Sequence, residues 1–276
     1  DDTEAQSFVA DIKAKFDYTV QDPLEDICGI EVKSTLGYVQ LTLTSHIDKM
    51  ATRFLSDEER DVKAHVPCDD KINKLVDDAV GSNTPVDPKL HSEYRSLVGA
   101  LLYVTVTVRA DAAFATCMLA RAMNSPTAAL LDAAKHTLQY LYTTRHLGLR
   151  YSRNCSSVPW GASDSDWQDR CSTSAYIFFM ACAMISFLSK KQPTIAMSST
   201  EAEIYAASLA GLEASFLRML YQQLVGPLQD PTVVKVDNKG AVDMSHDFLS
   251  NSRVRHFTRR HLKIRELVAD SIVSVE

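Results

Sequence analysis

The spacing of apolar residues predicts a small α+β unit at the start of the chain. Residues 5–16 repeat their apolar positions at a helical period, residues 27–44 alternate around a turn as a hairpin does, and residues 45–55 return to a helical period. Ser45 stands where it could cap this second helix. Residues 56–90 are polar and weakly periodic and contain three prolines, so they favour an extended connector.

The pattern is helical from residue 91 to residue 151. Residues 92–108, 110–124 and 126–149 predict three helices with wide apolar faces. Pro126 lies near the start of the third helix, where its missing N–H costs nothing. The three helices predict a bundle whose apolar faces serve packing.

After about residue 158, short strands alternate with helices. Strands are predicted over 160–167, 174–181, 183–190, 232–238 and 270–276, and helices over 198–224, 239–247 and 253–265. The second and third strands are close enough along the chain to form a hairpin. The order predicts a compact α/β domain of about 120 residues, in which a mixed sheet is flanked by helices.

Composition describes a folded globular chain. Its 276 residues are 46% hydrophobic, enough for one large domain or two ordinary ones. No apolar run is long enough to span a bilayer, and the N-terminus is acidic and amphipathic where a secretion signal would be basic and then apolar, so the simplest location is intracellular. The six cysteines show no CxxC pair and no histidine cluster at zinc spacing. We interpret them as small buried thiols in a reducing compartment.

The distribution of charge leaves nucleic-acid binding open. A formal net charge of −6 argues against a protein coated with positive charge, although it permits a local basic face. Residues 253–265 contain six Arg or Lys residues and no acid. Such a run is typical either of a surface that contacts phosphates or of a solvated helix face.

Three carboxylates lie at chemically suggestive places in the α/β segment. Asp164 follows the first predicted strand, Glu203 lies in the first turns of the long helix, and Asp237 ends the strand over 232–238. They are 39 and 34 residues apart along the chain, so only the fold can bring them together, at the ends of neighbouring strands. Clustered carboxylates repel one another unless a cation neutralises them. Oxygen ligands without nitrogen or sulfur select Mg²⁺ or Mn²⁺.

Each acid also has a purely structural interpretation. Asp164 could cap a turn, Glu203 could stabilise the helix dipole, and Asp237 could start the next turn. Ser198 and Glu201 form a capping box in "SSTE", which accounts for Glu201 and leaves Glu203 unexplained.

Asp166 competes with Asp164 for a place in such a cluster. Residues two apart on a strand share a face, so either carboxylate could point toward Glu203 and Asp237. We favour Asp164 because it comes first after the predicted strand.

Several stretches of the chain resemble motifs of one protein family, in the same order and at the same spacing. They are "GASDSDW", "STSAYIFF", "ISFLSKKQPTIAMSSTEAEIYA", "VDNKGAV" and "SRVRH". The ribonuclease H domain of copia-type LTR-retrotransposon polyproteins has the similar stretches "DADW", "STSGY", "SWSSKKQ", "SSTEAEY" and "DNxxAI". Upstream, "CGIEV", "EYRSLVGALLYVTVTVRADAAFA" and "AAKHTLQYLYTTRHLGLRYS" resemble the segment that follows the polymerase active site in the same polyproteins.

The resemblance implies a metal-dependent nuclease. Ribonuclease H enzymes cut the RNA strand of an RNA–DNA hybrid with two Mg²⁺ (or Mn²⁺) ions held by a D-E-D-D carboxylate set, and Asp164, Glu203 and Asp237 match its first three members. Two such ions can activate a water on one side of the phosphate and stabilise the leaving 3′ oxygen on the other. Candidate contacts to the nucleic acid are Lys190, Lys191, Asn238, Arg253, Arg255 and His256.

The resemblance also implies a domain organisation and a setting. Residues 1–90 would be the C-terminal part of a reverse transcriptase palm or thumb-like region with its extended connector, residues 91–152 a helical connection region, and residues 153–276 a ribonuclease H-like domain truncated at its C-terminus. The expected partners are an RNA–DNA hybrid and the rest of the Pol polyprotein, with no membrane. The expected location is the cytoplasm, in a virus-like particle, with the nucleus as a second site.

Two departures limit the match. The paired aspartates of the family's polymerase lie in a "YVDD"-like turn, whereas Asp1 and Asp2 follow no strand, so we expect no DNA synthesis from this chain. The family's fourth carboxylate belongs to an "AD-x-x-TK" motif after the last strand, which residues 271–276 lack. Asp270 precedes that strand, and Thr258 stands where relatives often have an Asp. The resemblance therefore implies three of the four ligands.

Two other functions stay open. A non-catalytic remnant of a decayed or truncated element could still bind nucleic acid. An integrase or transposase of the same fold would need the same metals, but its ligand order is D-D-E with a late Glu, whereas Glu203 comes second here.

Overall fold

The structure is a computed structural model that describes residues 2–16, 24–81, 85–167, 171–246 and 263–276. Within these ranges the chain forms two β-sheets accompanied by helices. The predicted combination of a mixed sheet with helices packed against it is confirmed. The division of the chain at residues 90 and 152 stays a prediction.

The first sheet is antiparallel and joins the start of the chain to the end of the helical segment. Its strands lie in the order β1 (Asp26–Ile27), β2 (Ile30–Ser34), β3 (Tyr38–Thr42) and β4 (Leu149–Ser152). The hairpin predicted over 27–44 is confirmed as β2 and β3, and β4 pairs with β3. Gly148 can have no side chain, because a Cβ there would collide with the carbonyl oxygen of Leu41.

Most helices of the first half pack together. The helices are α1 (Asp2–Lys13), α2 (Thr44–Phe54), α3 (Asp57–Asp61), α4 (Ile72–Val80), α5 (Pro88–Thr107), α6 (Ala113–Arg121) and α7 (Ala128–Thr143). The three helices predicted between residues 91 and 151 are confirmed as α5, α6 and α7. α5 begins earlier than predicted because the Asp87 carboxylate accepts hydrogen bonds from the N–H groups of Lys89 and Leu90.

A first hydrophobic core lies between these helices and the first sheet. Fully buried side chains from α2, α4, α5, α6 and α7 form it, among them Ile47, Val76, Leu97, Leu101, Leu119 and Leu138. Ile30, Leu41 and Leu149 of the first sheet pack against it. Burial of this apolar surface is the main source of stability for this part of the chain.

The prediction of an extended connector over 56–90 is wrong, because α3 and α4 lie within it. Ser56 and Glu59 form a capping box that starts α3, since each side chain accepts a hydrogen bond from the other's N–H. α4 buries Ile72 and Val76 in the first core. Its apolar spacing spans too few turns to stand out among the surrounding polar residues.

The prediction that Ser45 caps α2 is also wrong. The helix begins at Thr44, and its N-cap position is Leu43, which forms no side-chain cap. The carboxylate of Glu31 on β2 accepts the Ser45 N–H at 2.7 Å instead and also accepts the Thr42 hydroxyl. A carboxylate from the neighbouring hairpin therefore satisfies the helix start, which local spacing could not indicate.

The second sheet is mixed and has the strand order β7-β6-β5-β8-β9. Its strands are β5 (Trp160–Asp166), β6 (Thr173–Met180), β7 (Ala183–Lys191), β8 (Thr232–Val236) and β9 (Val273–Val275). β5, β6 and β7 pair antiparallel, whereas β8 runs parallel to both β5 and β9. The five strands predicted after residue 158 are confirmed, including the hairpin of β6 and β7.

One long helix covers a face of this sheet. α8 (Ser199–Leu224) packs across β5, β6 and β8, with α9 (Lys239–His246) and α10 (Lys263–Ala269) beside it. The second core between them buries Phe178, Ile204, Ala207, Val234 and Leu267. Gly161 lets the Phe178 ring lie directly on β5, since a Cβ at Gly161 would come within 2.5 Å of that ring.

Part of one predicted helix lies outside the described residues. Of the basic run over 253–265, only the residues from Lys263 onward are described, and they begin α10. No helix in the described ranges combines the length and the apolarity that crossing a membrane requires.

The prediction of six buried thiols is wrong for several cysteines. Cys155 and Cys182 form a disulfide with Cα atoms 5.7 Å apart, and Cys28 is exposed. Cys155 follows β4 of the first sheet, and Cys182 lies in the turn between β6 and β7 of the second. The two cysteines are 27 residues apart in sequence, so only the arrangement of the two sheets brings them together.

Candidate metal centre

Asp164 lies within β5, on the exposed side of the strand. The strand predicted over 160–167 is confirmed as Trp160–Asp166, so the expectation that Asp164 follows the strand is wrong. Ser163 and Ser165 are buried, while Asp164 and Asp166 are exposed, as strand alternation requires. The "SDSD" run therefore places its hydroxyl groups toward the interior and its carboxylates toward solvent.

Glu203 lies in the second turn of α8 and is 6% exposed. The helix starts where the Ser198 hydroxyl accepts the Glu201 N–H, which confirms that half of the predicted capping box. Glu201 Oε2 accepts the N–H of Met197 and so serves the entry of the helix. Because Glu203 lies beyond the first turn, neither capping nor the helix dipole accounts for its burial.

Asp237 is brought beside Asp164 by parallel strand pairing. β8 ends at Val236, which is opposite Ser163 on β5, so the next residue of each strand lies at the same edge of the sheet. Asn238 then turns the chain into α9, because its side-chain oxygen accepts the Ala241 N–H at 3.0 Å.

The three acids come together as the sequence predicted. One carboxylate oxygen from each of Asp164, Glu203 and Asp237 lies within 4.8 Å of the others. The Ser165 N–H donates to Asp164 Oδ1 at 2.8 Å and to Glu203 Oε1 at 3.2 Å, so a single backbone group orients two of the carboxylates. Glu203 Oε2 is buried and has no hydrogen-bond partner among the described residues.

Burial and repulsion act together on Glu203. Burial and, after it, the negative charges of Asp164 and Asp237 together raise the pKa of Glu203 to about 7, against the opposing effect of the Ser165 N–H. A bound divalent cation would offset the repulsion among the carboxylates and stabilise the ionised form of the buried Glu203. The all-oxygen ligand set and the unpartnered Oε2 fit a hard cation such as Mg²⁺ or Mn²⁺.

The remaining predicted site residues are distributed more widely. Asp166 is outside the acid group found among the described residues. Lys191 on β7 pairs with Thr173 on β6, which in turn pairs with Asp166 on β5. Lys191 and Arg121 line the same cleft. Lys190 precedes Lys191 on β7 and points to the opposite face of the sheet. Arg253, Arg255 and His256 lie outside the described residues.

Sequence reasoning missed two polar residues beside the cluster. Ser165 holds two carboxylates through its N–H, and buried Gln192 bonds the Ser165 hydroxyl from behind. Both lie inside the stretches "GASDSDW" and "SKKQ", but neither has a side chain that binds metal or catalyses proton transfer. The available signal was weak: Ser165 alternates with the two aspartates of "SDSD", and Gln192 is an uncharged residue directly after two lysines.

The sequence of the chain is similar to those of several known proteins. No protein-family model matches it. The retrovirus-related Pol polyprotein from transposon TNT 1-94 of Nicotiana tabacum is 29% identical over 274 residues, which cover 96% of this chain and 20% of the polyprotein. The corresponding polyprotein from transposon RE1 of Arabidopsis thaliana is 32% identical over 188 residues, 67% of this chain and 13% of the polyprotein. An uncharacterized mitochondrial protein of Arabidopsis thaliana is 31% identical over 198 residues, 70% of this chain and 78% of that protein.

One solved structure is also similar in outline. A foamy viral protease-reverse transcriptase in complex with double-stranded DNA covers 89% of this chain and 37% of its own, at 10% identity and a TM-score of 0.38. This TM-score is too low to establish a shared fold.

The fold and the acid cluster thus occur in a chain whose relatives include Pol polyproteins of transposons. The chain belongs to the family of copia-type retrotransposon Pol polyproteins. It spans 20% of the tobacco polyprotein and 13% of the Arabidopsis RE1 polyprotein.

Proposed function

We propose that this chain contains the ribonuclease H of a copia-type Pol polyprotein, which cuts the RNA strand of RNA–DNA hybrids internally during reverse transcription. The observation that carries the proposal is the convergence of Asp164, Glu203 and Asp237 at one edge of a mixed sheet, in a chain related to Pol polyproteins. The order of the acids, with the glutamate second, favours this reaction over that of a D-D-E integrase or transposase.

The three carboxylates would hold the divalent cations. Asp164 and Asp237 are exposed and Glu203 is buried, so the cluster has one protected side and one side open to a phosphodiester. Bound Mg²⁺ or Mn²⁺ would supply activation of the attacking water and stabilisation of the leaving 3′ oxygen. Cleavage at that oxygen gives a 5′ phosphate and a 3′ hydroxyl.

The chain's own residues prepare this site. The Ser165 N–H keeps Asp164 and Glu203 in a common orientation. The pKa of Glu203, raised to about 7, means that cation binding and loss of the Glu203 proton accompany each other near neutral pH. Burial of Glu203 excludes water from one side of the cluster.

Substrate contacts would come from residues on the same face of the sheet. Lys191 lies on the same face of the sheet as Asp166, two strands away. Lys191 and Arg121 line one cleft, and their positive charges could contact a phosphate backbone there. Phosphate contacts supply affinity without sequence preference, which suits an enzyme that degrades RNA of any sequence. Selection of a hybrid would rest on the 2′-hydroxyl groups and the groove shape of the RNA strand.

The proposal is tested by cleavage of a hybrid whose RNA strand is labelled, in the presence of Mg²⁺ or Mn²⁺. We expect the chain to cut the RNA and Asp164→Asn or Glu203→Gln to lower the rate at least about a hundredfold. Asp166→Asn is the matched control on the same strand, and its rate should stay within about threefold of the unmodified chain.

The second candidate function is a non-catalytic remnant that binds nucleic acid. A folded chain that binds the hybrid in a gel-shift or anisotropy assay but leaves the RNA intact in both metals would favour this remnant over the nuclease. Loss of cleavage in Asp166→Asn but not in Asp164→Asn would instead contradict the assignment of the first ligand.

A further inference from the structure

A buried side-chain amide lies directly behind the acid cluster. Gln192 follows β7 and is 4% exposed. Its Nε2 lies 2.8 Å from Ser174 Oγ, 3.1 Å from the Ala202 carbonyl oxygen and 3.2 Å from Ser165 Oγ. These acceptors belong to β6, α8 and β5, so one amide group joins two strands to the first turn of the helix.

Two of these acceptors adjoin the carboxylates. Ser165 accepts from Gln192 through its hydroxyl and donates its backbone N–H to both Asp164 and Glu203. Ala202 immediately precedes Glu203 on α8. The hydrogen bonds of Gln192 therefore fix β5 and the start of α8 at the two points from which these carboxylates project.

We propose that Gln192 is a positioning residue for the metal centre. By holding Ser165 and the Ala202 carbonyl, it sets the separation of the Asp164 and Glu203 carboxylates and so the affinity for a divalent cation. The inference rests on the proposed function only in that the cluster binds metal. In the described contacts Gln192 reaches Ser165 and Ala202 rather than the carboxylates themselves, so its effect passes through these two residues.

Physical reasons make this support necessary. Two carboxylates that repel each other move apart unless their backbones are fixed, and the Glu203 side chain has one oxygen without a partner among the described residues. Metal ligands need to be held within about 0.5 Å of their working geometry. Hydrogen-bonding partners that orient ligands typically change metal affinity 10–100-fold when they are removed.

Gln192→Met tests the proposal because it keeps the length of the side chain and removes its N–H donors. Ser174→Ala is the matched control. It deletes one of the three acceptors and leaves Ser165 and Ala202 for the two N–H groups of Gln192. On the full chain, Mn²⁺ affinity is measured by isothermal titration calorimetry and the free energy of unfolding by urea titration. We expect the Kd for Mn²⁺ to rise about tenfold in Gln192→Met and less than twofold in Ser174→Ala.

The outcomes separate positioning from plain structural support. If Gln192→Met and Ser174→Ala lower the free energy of unfolding but leave the Mn²⁺ Kd unchanged, Gln192 supports the fold alone and the inference is overturned. If Gln192→Met does not fold, Ser165→Ala takes its place, because it removes the hydroxyl through which Gln192 acts while keeping the backbone N–H. A Kd for Ser165→Ala equal to that of the unmodified chain then overturns the inference.

Failure of the proposed function has a different signature. If the unmodified chain binds no Mn²⁺, or binds it equally after Glu203→Gln, the metal centre itself is refuted together with the role of Gln192. If the unmodified chain binds Mn²⁺ and Glu203→Gln does not, while Gln192→Met binds as Ser174→Ala does, only the role of Gln192 is refuted.

Discussion

At the scale of single residues, Glu203 shows the conflict between stability and function. A carboxylate that is 6% exposed, with one oxygen unpartnered among the described residues, is costly to ionise beside Asp164 and Asp237. An uncharged side chain at this position would avoid that cost. The retained cost is therefore best explained by a ligand that the carboxylate binds.

This cost predicts how stability depends on pH in the metal-free chain. The pKa of Glu203 is about 7 in the folded state and near its usual 4.5 when unfolded. Below pH 4.5 both states hold the proton. Between pH 4.5 and 7 only the folded state holds it, so its contribution to stability decreases as the pH rises and is lost above 7. We expect a loss on the order of 3 kcal/mol across this window.

Glu203→Gln isolates that contribution. Relative to the unmodified chain, the variant should gain on the order of 2 kcal/mol of unfolding free energy between pH 5 and pH 8, measured by urea titration in the presence of EDTA. Asp166→Asn, a change of carboxylate to amide outside the acid group, should show no such pH-dependent gain. Parallel stability curves for Glu203→Gln and the unmodified chain would contradict the raised pKa.

At the scale of elements, α4 shows where the periodic pattern is too short to recognise. The prediction for residues 56–90 is an extended connector, because they are polar and weakly periodic and contain three prolines. Yet α4 places Ile72, Val76 and Ala79 on one buried face. Three apolar residues over nine positions give a weak signal in a sequence, whereas the groove between α6 and α7 stabilises the helix.

The contribution of α4 to stability can be measured by comparing a buried valine with an exposed valine of the same helix. Val76 is fully buried in the first core, whereas Val80 on the same helix is 52% exposed. Val76→Ala should lower the free energy of unfolding by about 2 kcal/mol, because it removes two buried methyl groups and leaves a cavity. Val80→Ala should change it by less than about 0.5 kcal/mol. Equal effects in urea titrations would mean that α4 does not pack as described.

The sequence predicted the second sheet and its acid cluster more accurately than it predicted α4. Strands such as β6 and β8 and the long helix α8 have enough residues for their periods to be clear, and Asp164, Glu203 and Asp237 have the side chains that metal chemistry requires. Ser165 and Gln192 could not be found in this way, because their importance lies in which groups they touch after folding. The hydrogen bond from the Ser45 N–H at the start of α2 to Glu31 was missed for the same reason, because the two residues meet only after folding.

At the scale of the whole molecule, the first and second sheets are joined near the β6–β7 turn. The Ser152 N–H donates to the Ala181 carbonyl, and the Tyr151 hydroxyl donates to the Met184 carbonyl. The Cys155–Cys182 disulfide closes the same junction covalently. The β6–β7 turn lies beside the start of β5, where Trp160 pairs with Phe179, whereas Asp164 lies toward the other end of that strand. The disulfide therefore constrains how the two sheets meet rather than the positions of the carboxylates.

Reduction of this disulfide should therefore weaken the molecule without abolishing the metal centre. A bridge across 27 residues constrains the unfolded chain by about 3.5 kcal/mol in the loop-entropy model, so dithiothreitol should lower the free energy of unfolding by about that amount. The double variant Cys155→Ser with Cys182→Ser should match the reduced protein and be insensitive to the reductant. Cys117→Ser, at a half-buried thiol outside the bridge, should keep the full response to dithiothreitol.

The Mn²⁺ Kd should change less than threefold on reduction, since all three carboxylates and Gln192 belong to the second sheet and its helix. An unfolding midpoint that is the same with and without reductant would show that the bridge does not constrain the chain.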